Sequence, residues 1–167
     1  MSTPQLRADI TVDGASCTLA QAINVVNNTN CAGTFPAPDI GRCAAASMGA
    51  NTINLTVDVP LAAVDNYLYG PDGLSPIASS ITITGNGHTI SRSPSAPPFR
   101  FFYVSGGWEL CAGSLTLQDL TLSGGLAQGG GSGDGGGGMG AGGAIFNQGT
   151  VHLSGVTIMN CTALGGI

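Results

Sequence analysis

Two histidines and nine acidic side chains are the groups in this sequence that could move protons, and neither set is arranged for it. A serine hydrolase of the nucleophile-elbow type needs Gly-x-Ser-x-Gly, which does not occur. His152 falls on the outward side of an alternating segment and reads as a solvated surface residue, while His88 follows Gly87 in a turn and reads as structural. Glycoside hydrolysis needs two carboxylates facing each other across a bond. Asp119 sits at a corner whose counterpart in the following segment is Gly155, so no acidic ladder builds up, and Asp58, Asp65 and Asp72 lie in or beside irregular stretches. A polysaccharide lyase needs a basic proton acceptor; with no lysine in the chain, that part falls to Arg7, Arg42, Arg92 or Arg100. No catalytic residue is assigned.

Metal and cofactor chemistry find equally little. Cys17, Cys31, Cys43, Cys111 and Cys161 contain no Cys-x-x-Cys, so a structural zinc site is not expected, and no cofactor is implied. The tract Gly129 to Gly143 holds a single Asp134 but not the Gly-Gly-x-Gly-x-Asp order of a calcium repeat, and reads as a flexible loop. Thr82 with Thr84 and Thr116 with Thr121 would suit an ice-binding face, but Thr150-Val-His152 breaks the row. The crowding of Cys17, Cys31 and Cys43 predicts one disulfide among them. Five cysteines leave at least one thiol free or shared between chains, and Cys111 and Cys161 are out of register for a bridge to each other.

The elements that would position any site are short strands. Leu115 and Leu117, then Leu120 and Leu122, alternate, skip a step and alternate again; Val151 and Leu153, then Val156 and Ile158, do the same at an offset of 36 residues. Alternation marks strands with one buried face, and the skips at Gln118-Asp119 and Ser154-Gly155 mark corners. If Gln128 to Gly140 are an inserted loop, the offset falls to 23, the interval from Gly142 to Gly165. A 23-residue coil predicts an all-β parallel β-helix, a solenoid with a short N-terminal capping helix, whose right-handed form is implied only by the resemblance given below. Residues 1–50 would be the cap, with a helix near 18–27 and a loop through Pro36 and Pro38; residues 51–167 would be the coils of one domain. The chain stops three residues into a further coil, whether naturally or by truncation, so the last coil would be open.

Charged residues make up only 8% of the chain and the net charge is −5, with the arginines scattered. Nucleic acid and anionic membrane surfaces need clustered cations, so neither is an expected partner. No apolar run approaches the roughly 20 residues that cross a bilayer. The start, Met1-Ser-Thr-Pro-Gln-Leu-Arg7, lacks the apolar core of a signal peptide, which predicts that an export signal has been removed.

Thr18-Leu-Ala-Gln21 fits a capping box, and Leu19, Ile23 and Val26 share one helical face that would cover the open end of a strand stack. Cys17-Thr-Leu-Ala-Gln-Ala-Ile resembles the Cys-Ser-Leu-Arg-Glu-Ala-Ile signature of bacterial exported right-handed parallel β-helix proteins of the adhesin-like and polymorphic outer-membrane types. The resemblance runs on through Cys43-Ala-Ala-Ala-Ser-Met-Gly, Tyr69-Gly-Pro-Asp-Gly-Leu, Ile81-Thr-Ile-Thr-Gly-Asn-Gly, Phe99-Arg-Phe-Phe and Gly142-Gly-Ala-Ile-Phe-Asn-Gln-Gly-Thr, with Ala20 and Gln21 replacing Arg and Glu. It implies a secreted or cell-surface structural or adhesive module, a piece of a longer surface protein. Such a module would self-associate as a dimer through Val156, Ile158 and Ile167 of its last coil and could meet a glycan or cell-surface ligand. The alternative is a carbohydrate-active or ester hydrolase or lyase.

Overall fold

A computed structural model describes residues 8–31, 39–131 and 137–166. Pro36, Pro38, Asp134 and Ile167 lie outside them.

Twelve short elements follow one another: β1 (Asp9–Val12), α1 (Leu19–Asn30), β2 (Asn51–Leu55), β3 (Val59–Leu61), β4 (Ser80–Thr84), β5 (Thr89–Arg92), β6 (Phe102–Val104), β7 (Ser114–Ser123), β8 (Leu126–Gln128), β9 (Ile145–Asn147), β10 (Thr150–Met159) and β11 (Thr162–Leu164). Seven strands join in one parallel sheet, β1-β2-β4-β7-β5-β3 with β10 on β7, and β6/β9 and β8/β11 form two-stranded parallel sheets. The ten-residue β7 spans two neighbours, pairing with β4 along its first half and β5 along its second. Between the halves, Asp119 has φ 49°, and Gly155 at the same place in β10 has φ 64°. These left-handed residues are the skips in the apolar alternation, because each turns the next side chain back to the buried face. A Cβ on Gly155 would meet Asp119 Oδ1, so glycine at this left-handed position spares the Asp119 side chain a shift and removes the strain a side chain would carry there.

This architecture corrects the expected fold. The described residues form a small mixed α/β arrangement, one helix with short strands in a seven-stranded parallel sheet, and not an all-β parallel β-helix of 23-residue coils. Register partners along β1, β2, β4, β7 and β10 are separated by 43, 30, 34 and 36 residues, so no constant coil length exists. The 23-residue interval from Gly142 to Gly165 is not a register offset either: neighbouring Leu164 pairs with Gln128, again 36 residues back. The glycine-rich stretch therefore belongs to the interval between strands and is not an addition to it.

The core consists of rows of side chains, one from each strand. Ile10, Ile53, Ile83 and Leu117 are mutual register partners and all are fully buried. Ile90 pairs with Leu122 in a parallel row. Helix α1 closes one end of this core with Leu19, Ala22, Ile23, Val25 and Val26 buried. Its capping box is complete: Thr18 Oγ1 accepts from Gln21 N at 3.3 Å and Gln21 Oε1 accepts from Thr18 N at 2.9 Å. Buried Asn27 then fixes the helix to the loop before β4, donating to Pro76 O at 2.7 Å and accepting from Ala78 N and Ser79 Oγ.

Two disulfides are present. Cys17–Cys43 links the start of the helix to the following loop, within the expected trio, but Cys31 pairs with Cys111 across 80 residues; Cys161 is a free thiol.

Candidate functional site

The apolar rows that fill the core do not end in a covered strand. In β10, Leu153 continues the row Ile10, Ile53, Ile83, Leu117, yet it is 48% exposed; Ile158, partner of buried Leu122, is 46% exposed. Met159 and Leu164 are exposed to the same degree, while Val151 and Val156 are half-buried against the core. Of the expected interface residues, Val156 and Ile158 therefore lie together on β10. The strand is hydrogen-bonded to β7 along one edge, and β7 is its one strand partner among the described residues. Thr150–Met159 contains no Asp, Glu, Lys or Arg, so the edge carries none of the charges with which natural sheets discourage further pairing. His152 lies exposed opposite Thr116, as its outward position predicts.

The acidic residues occupy separate surroundings. Asp72 is fully buried and accepts from Arg100 Nε at 2.5 Å, while its Oδ2 has no partner among the described residues. Burial pushes the Asp72 carboxyl up to about 7; Arg100 opposes this by hydrogen bond and charge, and neighbouring Asp65 adds to it. Arg100 is itself buried and donates to Tyr69 O at 2.7 Å and Ala141 O at 3.0 Å, with its guanidinium 4.8 Å from the centre of the Phe146 ring. Gly70 leaves room for that guanidinium, and the rings of Tyr69, Tyr103 and Phe146 pack on one another with centres 5.1–6.1 Å apart. This group ties together the loop before β4, strand β6 and the approach to β9. Neither sequence spacing nor periodicity pointed to it, because its three segments are brought together only by the sheet.

Elsewhere, Asp58 accepts from Thr89 N at 2.9 Å and meets His88 Nδ1 at 3.1 Å, and these bonds hold its carboxyl below the usual carboxylate range. That pairing places His88 against Asp58 beside its turn. Among the described residues no group of three His, Cys, Asp or Glu side chains is placed to hold a metal ion, and no helix is long and apolar enough to cross a membrane.

The chain matches no family model, no curated protein and no solved structure.

Proposed function

We propose that this chain is an exported structural or adhesive module that associates with a second copy of itself through the free edge of β10. The observation that carries the reading is the exposure of Leu153 and Ile158 in register with the buried Leu117 and Leu122. An apolar row that runs into a strand with an open edge is completed by another strand, and an uncharged edge permits one copy to meet another about a two-fold axis. Two disulfides and the likeness of Cys17-Thr-Leu-Ala-Gln-Ala-Ile to exported adhesin-like proteins support the extracellular setting. A glycan or other cell-surface component is the ligand such a module would present itself to. The carbohydrate-active alternative has less behind it. Of the neighbouring carboxylates, Asp72 is buried against Arg100 while Asp65 is exposed and bonded to Asn66 and Ser75, so the two do not face each other across an open cleft.

Light scattering over a concentration series, with and without reductant, tests the association. A dimer that persists in reductant, and that Ile158→Asp converts to monomer without loss of the fold, is the expected result. A monomer at every concentration would overturn it.

A further inference from the structure

A groove of ≈ 480 Å³ opens between the start of α1 and the chain that runs through β3. Its floor is apolar: Val12 at the end of β1, Leu19 and Ala20 of the helix, and Val59, Leu61 and Val64 on the opposite wall. Its volume falls within the roughly 300–1,000 Å³ of small-molecule sites, and its chemistry is theirs too, an apolar lining with a few polar groups at fixed places. Those groups are Asp58 and Asp65, the two charged residues of the lining, both carboxylates. Each is held in place. Asp58 takes the Thr89 N–H and meets His88, and Asp65 Oδ2 accepts from Ser75 Oγ at 3.2 Å and Asn66 Nδ2 at 3.1 Å. Fixed carboxylates in the wall of an apolar cleft favour a ligand whose hydrocarbon part fills the cleft and whose cationic end stays in reach of water and of the acids.

We propose that this groove is a binding site for a small amphiphilic cation, an alkylammonium group or its equivalent. The site is separate from the β10 edge and does not depend on association. The hydrocarbon part lies along Leu19, Val59 and Leu61, and the ammonium end lies toward the wall that carries Asp58 and Asp65, in the negative potential of both. An anion of the same length is excluded by the same two carboxylates.

Calorimetric titration of the disulfide-intact chain with n-octylammonium, n-octanol and n-octanoate tests this. Octylammonium is expected to bind, with octanoate at least about tenfold weaker. Asp58→Asn and Asp65→Asn, which keep side-chain acceptors, should each weaken octylammonium by about 1.5-fold to fivefold, the range of an exposed ion pair, and leave octanol unchanged. Ala63→Trp, a substitution at an exposed lining residue, should reduce binding of both octylammonium and octanol. Circular dichroism of each variant establishes that the fold is retained. Failure of octylammonium to bind, equal binding of octanoate, or indifference to the two asparagine substitutions in folded protein would each overturn the proposal.

Discussion

Asp72 and Arg100 form a buried ion pair that is incompletely satisfied, and that imbalance has a measurable sign. Removing both charges from water is expensive, and among the described residues Asp72 Oδ2 recovers no hydrogen bond for its share. The native carboxyl therefore holds its proton up to about pH 7, whereas in the unfolded chain it releases it near the ordinary aspartate value of 3.8. A folded-state pKa above the unfolded one contributes stability that is fully present below the unfolded value and is lost as pH rises through the folded one. Melting temperature is thus expected to fall between about pH 4 and pH 7, and Asp72→Asn, which still offers Arg100 an acceptor, should flatten that fall. An unchanged slope in the variant would mean that Asp72 is not its source. Asp13, Asp39 and Asp58 act in the opposite sense and in another window. Asp13 accepts from the backbone N–H groups of Cys17, Ala15 and Ser16, which lower its pKa, so its contribution is present above the unfolded value and disappears as pH drops below it. The two effects separate on one pH titration of stability.

At the scale of elements, what the sequence made legible was local. The capping box at Thr18 and Gln21, the buried face of Leu19 and Ile23, and the paired alternations around Asp119 and Gly155 each depend on residues within one turn or one strand, and each is present. What escaped was set by chain segments meeting from far apart: Asn27 with the loop at 76–79, Cys31 with Cys111, Arg100 with Ala141. The coil length of 23 failed for the same reason, since it required Gln128 to Gly140 to be thrown clear of the fold. Instead, where that tract is described, its backbone packs directly on neighbouring backbone. Gly138 N donates to Gly130 O and Gly166 N to Gly138 O, both at 2.8 Å, and Gly129 N donates to Leu164 O at 2.9 Å. A Cβ at Gly140 would overlap the carbonyls of Leu164 and Ala127, whereas one at Gly130 would meet nothing within 4 Å. Glycine is required at the first position by close approach and not by turn geometry. Gly140→Ala is expected to cost about 1–3 kcal/mol, the usual range for forcing extra volume into packed structure. Gly130→Ala should be neutral within about 0.5 kcal/mol, as surface substitutions generally are. Chemical denaturation of the two variants checks the pair, and equal effects would mean that the glycine contacts do not hold in solution.

For the whole molecule, the sheet alone does not explain how so few charges and so many short strands give one stable body. The strands average only a few residues, and the chain between register partners runs for 30 to 43 residues. Each such return costs closure entropy before its row of side chains is buried. The two disulfides offset that cost in different places. Cys17–Cys43 closes 26 residues around the helix, and Cys31–Cys111 closes 80, joining the end of the helix to the loop before β7. Cross-linking the unfolded chain over those spans stabilises by about 3–4 and about 4–5 kcal/mol respectively. The longer bridge also fixes the helix against a part of the sheet that Asn27 does not reach. Replacing Cys31 and Cys111 by serine should therefore lower stability more than replacing Cys17 and Cys43, by about 1 kcal/mol on closure entropy alone. Because β10 lies on the far side of the sheet from the strand β1 that the helix covers, neither replacement should alter association through its edge in protein that is still folded. Urea midpoints and light scattering of the two double variants separate these statements. A larger loss from the Cys17/Cys43 pair would place the dominant constraint in the helix cap, and a folded variant that no longer dimerises would mean that the contact between copies extends beyond β10.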